Sequence, residues 1–359
     1  MDFALSEQQR MLTDSVAGYL TANCPLDLIR QTAESGETHN PALAQGLAEL
    51  GVSGLVIPED FGGVGLGYLE AALVAECIGS VVAPVTYLAT SVLAPSALLS
   101  AGSDEQQQAW LPRIAAGEVS IGVAVSEHSG RRDSDGVTAR NEQLTGSAMF
   151  AFDAIGADAY LVADNAGALY LVETSATDVV HLHTIDRTRG FARLNFEGTP
   201  AEVLPGSVDT KEVLQNIIDI GRLLLAAETL GACQKMLDDS VAYAKERKQF
   251  NRVIGSFQAV KHMCAEMAAE LEPCRAMVWY AAHSREAAPD EARMMACHAK
   301  AHLAEVGKFV ARTATEVHGG MGMTDLLGLH YWFKRIGMNR QLLGTPERVR
   351  EDAALAQGW

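Results

Sequence analysis

The sequence predicts an α+β fold in three successive parts: an N-terminal helical domain (1–118), a small antiparallel β domain (119–205) and a C-terminal four-helix bundle (206–359). The first observation behind this is a change of hydrophobic period. It is helical up to about residue 118, short and alternating to about 205, then helical again. The second is Pro205-Gly206-Ser207, a linker composition at the second change. The third is the length of the final patterns and the shortness of the turns between them, which suit an antiparallel bundle.

Taken in order, Ser6 and Gln9 have capping-box spacing ahead of a first helix. Glycines at 62, 63, 65 and 67 break the chain before a helix carrying Leu69, Ala72, Leu73, Ala75 and Ile78; they can cradle a phosphate or form a tight connector. Pro112 introduces the last short helix of this region. SIGVAVS, GALYLVE, VVHLHTI and FARLNFE, rich in β-branched or aromatic residues and separated by Gly, Asp and Asn, read as strands.

Residues 222–268 then read as two amphipathic helices around a basic turn. Leu223, Ala226, Leu230, Cys233, Leu237, Val241 and Ala244 make one apolar face, and Phe257, Val260, Cys264, Met267, Leu271, Cys274 and Val278 the other. Ser256 is placed to cap the second helix. Pro289-Asp290-Glu291 opens a third helix, with proline in the first turn and acids complementing the dipole. Its apolar face runs from Met295 through Ala299, Leu303, Val306, Val310 and Thr313 to Val317, and Gly319-Gly320 stops it. A fourth pattern passes through Leu329, Trp332, Phe333 and Ile336, and Thr345-Pro346 caps a short last helix.

Composition narrows the function. Apolar residues make up 48% of the 359, yet no uninterrupted apolar run reaches the ~20 residues of a bilayer span. The start, MDFALSEQQR, lacks the basic-then-apolar pattern of a signal peptide, so the expected location is cytoplasmic. A net charge of −17 argues against nucleic acid or anionic membranes as partners. Six cysteines without CxxC spacing suggest small core residues. His298 and His302 are four apart on a helix but have no third ligand in pattern, which favours packing or a surface role over a metal. Met294, Met295, Met321 and Met323 favour core filler over a hydrophobic acyl channel.

The turn Glu246-Arg247-Lys248-Gln249-Phe250-Asn251-Arg252 can hold a phosphate by charge and by helix-end N–H groups, or be a solvated helix end. It resembles the R-K-x-F-G…Q segment of acyl-CoA dehydrogenases, flavoenzymes that desaturate acyl-CoA thioesters between the α and β carbons. IPEDFGGVGLGYLE (57–70), GSDEQQQAWLPRIAAGE (102–118) and EVHGGMGMT (316–324) resemble further segments of that family, in its order. The resemblance therefore covers nearly the whole chain. It implies the same α, β, α-bundle architecture, FAD as cofactor, an acyl-CoA thioester as substrate and an oligomeric state. For an active member it also implies an electron-transfer flavoprotein as acceptor.

The resemblance assigns roles position by position. Arg247, Phe250, Gln258, Gly319 and Gly320 match residues that contact the adenine and pyrophosphate of FAD, and His318 reads as part of that junction. Glu316 stands where the family usually has Gln, and a carboxylate beside a pyrophosphate needs a proton or a cation such as Arg247. The flavin-side motif T-E-P-x-x-G-S-D reads as Ser126 to Asp133, or with an offset ends at Ser134-Asp135. The motif W-I-T reads Phe150-Ala151-Phe152; Phe150 can stack on the flavin, but Phe152 lacks the expected hydroxyl. Thr345 matches the threonine of Y-E-G-T, and Arg222 is the substrate-binding candidate.

Desaturation needs a carboxylate base, and both family positions lack one, being Leu343 and Gly221. Asp219, Glu228, Asp325 and Glu347 lie nearby but read as solvated or helix-end charges. Three functions follow. One is a catalytically silent subunit of a heteromeric acyl-CoA dehydrogenase, donating FAD contacts to a second dehydrogenase-type subunit. Another is a self-sufficient homo-oligomer with a relocated base. The last is a CoA-ester binding protein without redox function.

Overall fold

The computed structural model describes residues 4–130 and 136–359. Its elements follow the predicted succession. Helices α1 (Glu7–Asn23), α2 (Leu26–Ser35), α3 (Pro41–Glu49), α4 (Tyr68–Val81), α5 (Ala94–Ala101) and α6 (Asp104–Ala115) come first. Eight strands follow: β1 (Ile121–Ala124), β2 (Val137–Arg140), β3 (Gln143–Phe152), β4 (Ala159–Ala163), β5 (Leu169–Glu173), β6 (Asp178–His181), β7 (Phe191–Pro200) and β8 (Glu202–Val203). Then come α7 (Glu212–Glu246), a hairpin of β9 (Lys248–Gln249) and β10 (Arg252–Val253), α8 (Gln258–Ala287), α9 (Pro289–His318), α10 (Leu329–Gln341) and α11 (Pro346–Ala356).

Local chemistry explains most boundaries. Ser6 Oγ accepts from Gln9 N–H while the Gln9 side chain accepts from Ser6 N–H, completing the expected capping box. Pro289 begins α9 at a position whose N–H would be free anyway. Thr345 caps α11 by accepting from Arg348 N–H. Two local expectations are corrected. Pro112 lies inside α6 instead of opening a helix. Ser256 does not cap α8: its hydroxyl donates to the Val253 carbonyl, and the cap position falls to Phe257, with no side-chain cap.

The predicted antiparallel sheet is in fact mixed. Strands run in the order β6-β7-β3-β1-β4-β5-β8, with β2 paired to β3. All pairings are antiparallel except β1 with β4, which register in parallel from Ile121↔Ala159 to Ala124↔Val162. The β2–β3 hairpin lies between β1 and β4 in sequence, so the chain has room for the crossover a parallel pair needs. Leu144, Ala148, Val162, Val172, Leu194 and Phe196 fill the core of this sheet.

Two compact units form. One gathers the described residues up to Ile29 with Ala72–Ala83 and Leu225–Trp359. Within it α4 crosses α7 closely: a Cβ on Gly79 would stand 2.0 Å from the Glu228 carbonyl oxygen, and one on Gly231 1.9 Å from that of Glu76. Only glycine allows backbones to meet so nearly. The other unit comprises Arg30–Ala71 and Pro84–Leu224, including the sheet. Along α7, every residue from Ile217 to Cys233 is buried, so the helix is enclosed there on all sides and not amphipathic as its spacing suggested. Among the described residues no helix is long and apolar enough to cross a membrane.

Candidate cofactor site

Helix α7 ends at Glu246, and the hairpin turns the chain back so that Ile254 N–H donates to the Arg247 carbonyl at 2.7 Å. Phe250 and Asn251 form the tip with φ of 51° and 60°. Two positive values in a two-residue hairpin loop define a turn that matches strand twist, usually built from Asn-Gly. Phe250 is 87% exposed and meets Phe257 edge-on, with ring centroids 6.1 Å apart. The Arg252 guanidinium lies 3.9 Å from the Phe257 ring centroid. Arg247 is exposed and has no ion pair among the described residues. Gln258 opens α8, exposed, its amide 3.5 Å from the His262 ring. Because Phe257 supplies no side-chain cap, the first N–H groups of α8 remain available to an outside acceptor.

The end of α9 comes to the same place. The Tyr243 and His318 rings stack with centroids 4.6 Å apart, and His318, buried, hydrogen-bonds the Ala314 carbonyl at 2.8 Å. Gly319 follows with φ 59°, and nothing lies within 4 Å of where a Cβ on Gly319 or Gly320 would sit. Glu316 is exposed; no ion pair joins it to Arg247 among the described residues. This first unit thus unites Arg247, Phe250, Gln258 and the Gly319-Gly320 pair around exposed cations and open N–H groups.

Residues expected at the flavin ring belong to the other unit. Ser126 Oγ donates to the Phe150 carbonyl at 2.8 Å. Strand β3 carries a bulge between Ala148 and Ala151, and Phe150 sits in it with φ 54°. A bulge re-aims side chains: Phe150 is 41% exposed, whereas Phe152 has no exposed surface and packs on Phe191 at 5.6 Å. Phe152 as a cofactor contact is thereby corrected; its side chain belongs to the core. Arg131, Arg132, Asp133, Ser134 and Asp135, between which the motif register was open, lie outside the described residues.

At the positions for a base, Leu343 is 1% exposed with φ 55°, and Gly221 is buried within α7. Lys300 on α9, itself buried, donates to the carbonyls of Arg340 at 3.2 Å and Gly344 at 3.5 Å, which clamps the loop around Leu343. Arg222 is fully buried and pairs with Asp219 at 3.4 Å, while Gln215 donates to the same carboxylate at 2.9 Å.

Asp219 and Glu228, expected as solvated, are buried instead. Glu228 accepts from Arg335 and, at 2.9 Å, from Asn339. Asp325 pairs with His330 at 2.7 Å. Glu347 is exposed, held below its ordinary carboxyl range by its own backbone N–H and by Thr345. Sequence reasoning missed the Glu228–Arg335–Asn339 cluster and Lys300. For Glu228 and Lys300 the available signal was a lone charge set among apolar residues; Arg335, beside Lys334, gave none.

The thiols are chemically quiet. Burial pushes Cys24 and Cys77 up to about 12 and Cys274 to about 11, and moves Cys233 and Cys264 upward as well.

Comparison with known proteins matches both ends of the chain to models of one family. The description "Acyl-CoA dehydrogenase, N-terminal domain" matches residues 6–118, and "Acyl-CoA dehydrogenase, C-terminal domain" matches 211–357. The chain is 32% identical over 348 residues to acyl-CoA dehydrogenase IpdE2 of Mycolicibacterium smegmatis, covering 96% of this chain and 98% of that one. In three dimensions it is similar to a chain of the ChsE4-ChsE5 complex of Mycobacterium tuberculosis, with a TM-score of 0.91, 27% identity and coverage of 100% and 99%. It is similar, too, to a chain from work on the electron transferring flavoprotein of Acidaminococcus fermentans, with a TM-score of 0.90, 25% identity and 99% coverage of both.

Proposed function

This chain belongs to the acyl-CoA dehydrogenase family, FAD-dependent oxidoreductases of acyl-CoA metabolism, and from that premise we propose that it is the non-catalytic subunit of a heteromeric dehydrogenase. The observation that carries the reading is the contrast between its two half-sites. The half assembled from Arg247, Gln258, the uncapped start of α8 and the open Gly319-Gly320 backbone has the donors a pyrophosphate needs. The other half has an apolar residue at each informative place, Phe152 in the core and Leu343 in a closed loop.

FAD, when bound, supplies the acceptor for the two electrons removed in desaturation. This chain's own residues do simpler work. Arg247 places a fixed positive charge in a chain of net charge −17, giving the pyrophosphate a cation that the bulk of the protein denies it. The α8 N–H groups and Gln258 add directional donors, and Gly319-Gly320 let the backbone approach. Glu316 at the same junction opposes the anion unless it takes up a proton or a cation. Catalysis of proton removal falls to the partner. Each acid near the family positions is otherwise committed or exposed: Asp219 to Arg222, Glu228 to Arg335 and Asn339, Asp325 to His330, and Glu347 to the cap of α11.

The ChsE4-ChsE5 complex supports pairing of unlike chains, and the electron transferring flavoprotein work supports that class of protein as electron acceptor. The test is expression of this chain alone and together with a second dehydrogenase-type chain carrying Y-E-G-T. Flavin per chain and acyl-CoA-dependent flavin reduction are then measured. The expected result is no reduction by the lone chain and reduction by the pair. Stoichiometric flavin with rapid reduction in the lone homo-oligomer overturns the proposal in favour of a relocated base. Acyl-CoA binding without flavin in either preparation leaves a CoA-ester binding protein.

A further inference from the structure

A second cluster of arginines and histidines occurs in the sheet-containing unit, far along the sequence from the basic turn. A pocket of about 190 Å³ opens between the turn after α2 and the loop leaving edge strand β6. Residues Gly36 and Thr38 line one wall; His181, His183, Arg187 and Arg189 line the other. We infer that this pocket is a binding site for a phosphate dianion.

His181 and His183 are two apart at a strand end, so their side chains leave on the same side. Their rings lie 4.7 Å apart at 39°. Arg187 is exposed and has no ion pair among the described residues, so its guanidinium is available to an incoming anion. Arg189 is only 6% exposed and fixes a second positive charge in the wall. Two carboxylates also line the pocket. Asp186 is turned inward upon its own loop, accepting from Thr188 N–H at 2.9 Å and Thr188 Oγ1 at 2.6 Å. Glu34 is exposed at the rim.

The face presented to a ligand is therefore two imidazoles and a guanidinium, a set of donors that matches tetrahedral oxygens. Its volume lies below the ~300 Å³ of sites for drug-sized molecules, which suits a single anionic group. Burial, and then the neighbouring His183, hold His181 below its ordinary range. A dianion between the rings would reverse that push, and this couples occupancy to the state of the imidazoles.

The experiment uses the full-length protein with ¹⁵N-labelled histidine. Imidazole resonances are followed during titration with inorganic phosphate at constant ionic strength, with chloride as the control anion. Saturable shifts of His181 and His183 are expected, with affinity about tenfold weaker in Arg187→Ala and lost in Arg187→Glu. Arg187 is exposed, so neither variant should disturb folding. A parallel titration with 3′-AMP separates the sources of the dianion: tighter binding than inorganic phosphate identifies a nucleotide phosphate, and equal binding a free anion. Shifts that track ionic strength alone, or saturation unchanged in both Arg187 variants, would overturn the inference.

Discussion

In the helical unit, Phe250 and Leu343 are two bulky loop residues held in left-handed backbone with opposite surroundings. At the β9–β10 tip Phe250 has φ 51° and is 87% exposed; before α11 Leu343 has φ 55° and is 1% exposed. The first conformation is imposed by the hairpin alone, since a two-residue turn between twisted strands needs two positive φ values. The second is imposed from outside, by Lys300 holding the Arg340 and Gly344 carbonyls and by Thr345 capping the next helix. The tip leaves cations, N–H groups and an aromatic ring free to meet something else. The loop before α11 is closed around an aliphatic side chain. Strain of this kind persists where surrounding structure enforces it. Here only one of the two strained places still offers chemistry.

The largest effect expected from breaking this contrast is at the closed loop. Lys300→Met should cost about 2–4 kcal/mol, because one buried and one half-buried carbonyl lose their donor. Urea denaturation measures the loss, and hydrogen exchange should show opening concentrated at 342–345. A loss spread evenly over the helical unit would mean that Lys300 serves packing alone. At the open tip Arg247→Ala should leave stability within about 0.5 kcal/mol, as for other surface changes. Its cost should appear instead in cofactor retention, about 1.5–3 kcal/mol for a lost charge-assisted hydrogen bond. Gel filtration of the flavin-bearing complex checks this, and undiminished FAD would reduce Arg247 to a solvated helix end.

Much of the architecture was legible, and the reasons are local. Ser6-Gln9, Pro289 and Thr345 fix helix starts through hydrogen bonds within one turn, so sequence alone places them. The parallel β1–β4 pair was not legible. Alternation marks a strand but not its direction, and a hairpin intervenes between the two strands. Similarly, apolar spacing along α7 suggested one buried face, while enclosure of Ile217–Cys233 comes from neighbours distant in sequence. In the candidate site, Arg247, Phe250 and Gln258 could be expected near one another because one turn and the start of α8 carry them. Phe152 could not, since β3 alternation puts it on the side of Phe150 until the bulge intervenes. Asp219 and Glu228 looked like surface acids because nothing local announces Arg222 as a buried partner or Arg335 as a distant one.

One substitution made at both strained positions sharpens the contrast by its sign. Phe250→Gly should stabilise the protein by about 0.5–1 kcal/mol, since left-handed backbone costs a non-glycine residue ~1–2 kcal/mol and glycine returns part of that as entropy. Leu343→Gly relieves the same strain but empties a buried leucine site, so it should destabilise by about 1–3 kcal/mol on balance. Thermal denaturation of the two variants side by side decides it. Equal signs would show that the two loops are held by the same forces.

The smallest effect is a pH dependence confined to the closed loop. Glu347 lies in the first turn of α11, where its own backbone N–H and then Thr345 hold its carboxyl below the ordinary value of 4.5. A depressed carboxyl contributes stability that is fully present above the unfolded value and is lost as pH falls through the folded one. The affected window therefore begins near pH 4.5 and extends downward, and nothing changes near neutrality. Glu347 is exposed, so solvent screens the interaction and the signal should be local fraying of α11, not global unfolding. Glu347→Gln should remove the acid dependence of exchange at 345–349 while leaving the β9–β10 tip unaltered. The same acid-induced fraying in Glu347→Gln would assign it to another group, and the cap at Thr345 would then hold the loop without help from charge.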